Sequence, residues 1–200
     1  MDSAVQRMLI EKVANAVISH ADELTTLDQA IGDGDHGLNM KRGATAVLER
    51  LDDLAAKPLP DALKAAGQTL VMKVGGASGP LYGTLLMTLG THLPIVPSER
   101  DLQQAMGLAI QAVKKIGRSE VGQKTMLDVL APVHEELMLT GEGLLERVRQ
   151  RGASAAEATV PMKATKGRAS FLGERSIGHM DPGARSSSLM IAAICTVLEE

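Results

Sequence analysis

The chain has one cysteine, Cys195, and so can form neither an internal disulfide nor a multi-thiolate metal site. In its apolar C-terminal run this thiol is expected to be a small buried hydrophobe. Tryptophan is absent, and Tyr82 and Phe171 are the only aromatics, 1% of the sequence. A core without them must be built from Leu, Ile, Val, Met and Ala, which suits helices and lacks the aromatic and β-branched enrichment of sheets. No apolar run approaches the roughly 18 residues of a membrane span, and the amino terminus carries acids where a secretory leader carries a basic stretch. A basic stripe to track a phosphate backbone is also missing: 21 basic and 24 acidic side chains are interspersed, for a formal charge of −3. These absences exclude a membrane and nucleic acid as expected partners and point to a cytoplasmic protein. The 200 residues fit a single domain, 1–200.

What is present is a repeated helical period. Val5, Met8, Leu9, Val13, Ala16 and Val17 recur at three-and-four spacing, with Asp2 or Ser3 available as a cap. The period returns at Met40–Leu51, Leu63–Val74 and Leu81–Leu89, and Pro58, Pro60, Gly75, Gly76, Pro94 and Pro97 fall where these helices should stop. Ser98 to Asp101 reads as a capping box opening a fifth helix that ends near Gly117. A sixth begins around Thr125 and contains Pro132, which should kink it or mark its first turns. A weakly patterned seventh spans Gly143 to about Met162, and Asp181-Pro182 is a cap followed by a first-turn proline for the last helix. Strand signals are scarce. The expected architecture is all-α, an antiparallel helical bundle or barrel. Two polar, glycine-containing stretches break the rhythm, Leu27–Gly37 and Lys163–Met180, and both are expected to be functional loops.

The first stretch places Asp28, Asp33 and Asp35 among Gly32, Gly34 and Gly37. Carboxylates that close repel one another, and a hard cation such as Mg²⁺ resolves the conflict while sharing its shell with phosphate. The alternative is that Asp33 or Asp35 only caps the next helix. A calcium loop fails on spacing, because Ala44 stands where its terminal Glu belongs. Gly75-Gly76-Ala77-Ser78-Gly79-Pro80 could cradle a phosphate with backbone N–H groups, or could be a simple helix connection. Gly117–Thr125 is a near miss for a P-loop: one residue too many separates Gly122 from Lys124, and the segment follows a helix where a P-loop follows a strand, though its glycines and basic residue beside a helix start could still line a nucleotide site. The second stretch carries Lys166, Arg168, Arg175 and His179, either a solvated basic loop or a source of charge for polyphosphate. His20, His92 and His134 are read as surface or packing residues.

Ala30–Met40, Gly75–Pro80 and Lys166–His179, taken together and in this order, resemble the L subunit of bacterial dihydroxyacetone kinase along essentially the whole chain. The resemblance implies an eight-helix antiparallel barrel with ADP or ATP bound at one end. It implies that Asp28, Asp33 and Asp35 hold two Mg²⁺ ions and that His36, Gly37, Leu38 and Asn39 contact phosphates. Ala77, Ser78, Gly117 and Met126 would make further nucleotide contacts, Met126 on the adenine side, with Arg168 and the turn Asp181-Pro182-Gly183 completing the set. Arg168 is the candidate catalytic group, because an arginine can offset charge developing in phosphoryl transfer. In one branch of the family, ADP stays bound and is rephosphorylated by a phosphohistidine protein of the phosphoenolpyruvate phosphotransferase system, the phosphate passing to dihydroxyacetone on a separate K subunit. In the other, ATP is an exchangeable substrate. Some relatives dock on a transcription regulator, and a homodimer is a further expectation.

Overall fold

The computed structural model describes residues 2–139 and 141–200. Among them are ten α-helices, one 3₁₀ helix and no strand. In chain order the α-helices are α1 (Ser3–Ser19), α2 (Ala21–Ile31), α3 (His36–Leu48), α4 (Leu51–Ala55), α5 (Leu59–Lys73), α6 (Ser78–His92), α7 (Glu99–Gly117), α8 (Leu127–Leu137), α9 (Leu144–Ala158) and α10 (Pro182–Glu199); the 3₁₀ helix spans Arg168–Ser176.

Eight of these form a closed ring in which each packs on the next: α1, α3, α5, α6, α7, α8, α9, α10 and back to α1. This is the expected eight-helix barrel, with α2, α4 and the 3₁₀ helix as additions. The interior is aliphatic but for Tyr82, with Val17, Met40, Leu85, Ile110, Val113 and Leu127 in the same cluster. Val129, Val133, Val148 and the buried Cys195 lie in a second cluster, between α8, α9 and α10. None of the described helices is long and apolar enough to cross a membrane.

The strongest local signals act as read. Ser98 Oγ accepts from the Asp101 backbone N–H and the Asp101 carboxylate accepts from the Ser98 N–H at 2.9 Å, fixing the start of α7. Asp181 caps α10 by accepting from the Ala184 N–H at 2.7 Å, ahead of Pro182 in the first turn. Pro132 lies inside α8.

Three stretches differ from expectation. Met40–Leu51, expected as one helical run, is divided, α3 ending at Leu48 and Leu51 opening α4. The stretch Leu27–Gly37 is largely helical: Leu27–Ile31 finish α2, Gly37 belongs to the first turn of α3, and only Gly32–Asp35 lie between them. Helix α2 is hard to read because its buried face is Ala21, Leu24, Asp28 and Ile31, so a carboxylate occupies a position where the helical period calls for an apolar residue. The stretch Lys163–Met180 contains the 3₁₀ helix, seated by Ala169 and Leu172 on Ile31 at the end of α2.

Candidate functional site

Every second helix of the ring begins at the same cleft. Its lining includes His36 from the start of α3, Ser78 from the start of α6, Met126 at the cap of α8, and Asp181 and Pro182 at the start of α10. Alternating starts are what an antiparallel barrel produces. They aim the N-terminal first turns, and the positive ends of four helix dipoles, at one volume. Such a place favours an anion, and a polyanion above all.

The carboxylates face this positive end. Ligand oxygens of Asp28, Asp33 and Asp35 all lie within 4.8 Å of one another. Asp28 is buried, and its Oδ2 accepts from the His36 backbone N–H at 3.0 Å, satisfying the first free donor of α3. Asp35 stands at the cap position of α3 but makes no side-chain capping bond, so Asp28 does what the sequence offered to Asp33 or Asp35. Gly32 makes this geometry possible: a Cβ there would come within 2.1 Å of Asp28 Oδ1. Asp33 meets the guanidinium of Arg168, which brings the 3₁₀ segment over the carboxylate end of the cleft. Three oxygen donors from three side chains, beside an anion-attracting cleft, match a hard divalent cation that shares its shell with phosphate.

His36 is buried at the junction of α3, α6 and α10. One ring nitrogen lies 3.1 Å from Ser78 Oγ and the other 3.0 Å from Ser186 Oγ. Ser186 Oγ lies 2.8 Å from the Tyr82 hydroxyl, which also lies 3.0 Å from the Gly183 carbonyl oxygen and donates towards it. Burial pushes the His36 imidazole below its ordinary pKa, outweighing the nearby Asp28 charge, and so favours the neutral ring. Burial likewise pushes Tyr82 up to about 12, so this chain of hydroxyls and imidazole is uncharged at neutral pH.

Asp181 sits below the same cleft. Its pKa is pushed up to about 7 by burial, helped by the charges of Asp128 and Asp28 and opposed by the Ala184 N–H and by Lys124. The folded chain therefore holds this proton more tightly than the unfolded one. Its contribution to stability is present below the ordinary carboxylate range and is lost as pH rises through about 7. Asp181→Asn, which retains an oxygen to cap α10, is expected to flatten the fall in thermal midpoint of the nucleotide-free protein between about pH 5 and about pH 8. An unchanged slope would contradict this assignment.

Of the residues the sequence singled out, Asp28, Asp33, Asp35, His36, Ala77, Ser78, Met126, Arg168, Asp181, Pro182 and Gly183 line the cleft together. Gly37, Leu38, Asn39 and Gly117 are not on its lining. Gly37 packs α3 onto α2, where a Cβ would lie 2.0 Å from the Ala21 carbonyl oxygen, but its N–H and that of Leu38 belong to the first turn of α3. Asn39 is buried and accepts from Arg42 at 2.7 Å, beside the Gly75 turn. Gly117 lies behind Leu81, which is itself on the lining. Ile31, Leu81, Tyr82 and Ala169 complete walls that the sequence did not assign, and Lys124 and Thr125 come from the Gly117–Thr125 segment that it left open as part of a nucleotide site. Of the unassigned residues, Tyr82 carried a signal, as one of two aromatics in the sequence. Lys124, the lysine of the near-miss P-loop, commits its ammonium to the carbonyls of Met162 and Ser176, donating to both.

A family model described as the DAK2 domain matches residues 30–196. Over 190 residues the chain is 42% identical to the ADP-binding subunit DhaL of the PEP-dependent dihydroxyacetone kinase of Escherichia coli K12, covering 91% of this chain and 90% of that one. Over 172 residues it is 45% identical to the corresponding subunit of PEP-dependent dihydroxyacetone kinase 1 of Listeria innocua, covering 86% and 84%. Human triokinase/FMN cyclase is 34% identical over 206 residues, but this chain spans only 36% of it. The crystal structure of the native dihydroxyacetone kinase of C. freundii matches 96% of this chain with a TM-score of 0.80 at 23% identity, a likeness of fold that covers 34% of that longer chain. Matched along most of its length by a single family model and by stand-alone subunits, the chain belongs to the DAK2-domain family, among relatives of the ADP-binding subunits of bacterial dihydroxyacetone kinases.

Proposed function

We propose that this chain is the ADP-binding subunit of a dihydroxyacetone kinase, a phosphotransferase that passes a phosphoryl group from a phosphohistidine protein to dihydroxyacetone held on a separate K subunit. The observation that carries the reading is the meeting, in one cleft, of three carboxylates and four helix N-termini, an arrangement suited to a metal-bound polyphosphate. Asp28, Asp33 and Asp35 would hold two Mg²⁺ ions, which when bound neutralise phosphate charge and orient the group to be transferred.

The chain's own groups do the rest. Backbone N–H groups at the starts of α3 and α6, with Ser78, bind phosphate oxygens. His36, neutral and tied to Ser78 and Ser186, keeps these two helix starts in register with α10. Met126 packs against the base. Arg168, beside Asp33, places a positive charge where negative charge grows as the phosphoryl group moves. In this reading the group that anchors the ketose belongs to the second protein, on which the acceptor arrives. The rim suits such a visitor: Phe171, 88% exposed, lies one 3₁₀ turn beyond Arg168 and so on the same face.

Residues 1–200 act in this reading as one nucleotide-binding domain in the cytoplasm. Stand-alone relatives with PEP-dependent names favour bound ADP over exchangeable ATP as the carrier. A transcription regulator and a second copy of the chain are not required by it. The test is reconstitution with the K subunit, dihydroxyacetone and the phosphohistidine donor. Dihydroxyacetone phosphate should form with only catalytic ADP present. Formation only when ATP is consumed in equal amount would overturn the choice of donor.

A further inference from the structure

Lys124 is a buried charge to which the phosphate chemistry above gives no role. Its side chain is 1% exposed, and its backbone takes a left-handed conformation, φ 63°, that a non-glycine residue adopts only when its surroundings hold it there. The ammonium donates to the Met162 carbonyl at 3.0 Å and to the Ser176 carbonyl at 2.6 Å. These two carbonyls lie at the two ends of the segment that leaves α9, passes Lys166 and Arg168, and returns towards α10. Ser176 closes the same frame, accepting from the Ala164 N–H at 2.9 Å and donating to the Gly173 carbonyl at 2.6 Å.

The other side of Lys124 is anchored as firmly. Asp128 accepts from the Gly122 N–H at 2.5 Å and the Thr125 N–H at 2.8 Å, which fixes the turn carrying Lys124 against the start of α8. Lys124 and the next two residues, Thr125 and Met126, line the cleft. Lys124 therefore joins the wall that holds Met126 to both stems of the segment that holds Arg168. An apolar residue of the same length would fill the volume but leave two inward-facing carbonyls without donors.

We propose that Lys124 is a positioning residue for phosphoryl transfer: its ammonium clamps both stems of segment 162–176 and so holds Arg168 at the carboxylate end of the cleft. The inference rests on the transfer role given to Arg168 above. A displacement of about 1 Å at a group that acts on the transition state costs as much as a hundredfold in rate, whereas binding energy spread over many backbone contacts changes far less.

The test is a double-mutant cycle of Lys124→Met and Arg168→Ala, read by kcat in the reconstituted reaction and by calorimetric ADP affinity in the presence of Mg²⁺. Lys124→Met alone should lower kcat by about tenfold to a hundredfold while ADP affinity stays within about threefold. With Arg168 already alanine, it should change kcat by less than about twofold. Equal losses in both backgrounds, or an ADP affinity that falls as far as kcat, would overturn the proposal, since either means that Lys124 acts other than through Arg168. Should Lys124→Met not yield folded protein by circular dichroism, Lys124→Gln takes its place in the cycle under the same criteria. If Arg168→Ala itself leaves kcat unchanged, the role of Arg168 fails. If Arg168→Ala slows transfer and the Lys124 variant does not, only the clamp fails.

Discussion

Asp33→Ala and Asp35→Ala are each expected to abolish Mg²⁺-dependent retention of ADP, weakening binding by more than about a hundredfold, which exceeds the 10- to 100-fold typical of disturbing groups that merely support a metal ligand. The expectation follows from the cluster itself: three carboxylates within 4.8 Å of one another are mutually repulsive, and their arrangement makes sense when a hard cation lies among them. Asp33 and Asp35 are better probes than Asp28. The Asp28 carboxylate also accepts the first N–H of α3, so its removal would disturb the helix start as well as the metal site. Asp35 caps nothing and Asp33 is well exposed, so neither substitution should disturb the barrel. Titration calorimetry with ADP, with and without Mg²⁺, separates the effects. A variant that kept full Mg²⁺-dependent affinity would remove that carboxylate from the metal site.

Arg168→Ala is expected to lower kcat by roughly a thousandfold, the lower end of what an arginine acting on a phosphoryl transition state supplies, while ADP affinity falls by less than about tenfold. The guanidinium reaches the carboxylate end of the cleft from a 3₁₀ segment. There it could meet charge that appears only during transfer. Because the side chain is 58% exposed, its removal should barely change the thermal midpoint, and loss of activity cannot then be ascribed to unfolding. Arg168→Lys should recover only part of the rate, since an ammonium lacks the planar fork that engages two phosphate oxygens together. Equal falls in kcat and in affinity would instead assign Arg168 to ground-state binding.

The barrel was legible in the sequence wherever helices announce their ends. The reciprocal bonds of Ser98 and Asp101 and the pairing of Asp181 with Pro182 are local chemistry, and α7 and α10 begin where that chemistry places them. Helix α2 was not legible, because a carboxylate, Asp28, stands on its buried face and erases one beat of the apolar period. The 3₁₀ helix at Arg168–Ser176 has three residues per turn and escapes a search at 3.6. Three carboxylates within eight residues of chain suggested the metal cluster before any fold was known. The supports around it could not be read the same way: His36 meets Ser186 across 150 residues of sequence, and Lys124 meets Ser176 across 52. Glycines misled in a particular way. Gly32 and Gly37 suggested a pliable loop, but each is small because a carboxylate or a neighbouring helix backbone needs the space.

In this reading the cleft holds ADP through metal-bound carboxylates as a resident carrier. Its most direct test is the nucleotide content of the protein purified without added nucleotide, released by acid and measured by ion-exchange chromatography. About one ADP per chain is expected, lost when Mg²⁺ is chelated during purification. An empty site that fills only when ATP and Mg²⁺ are supplied would contradict the resident carrier, and a chain that binds neither nucleotide with Mg²⁺ would contradict the site.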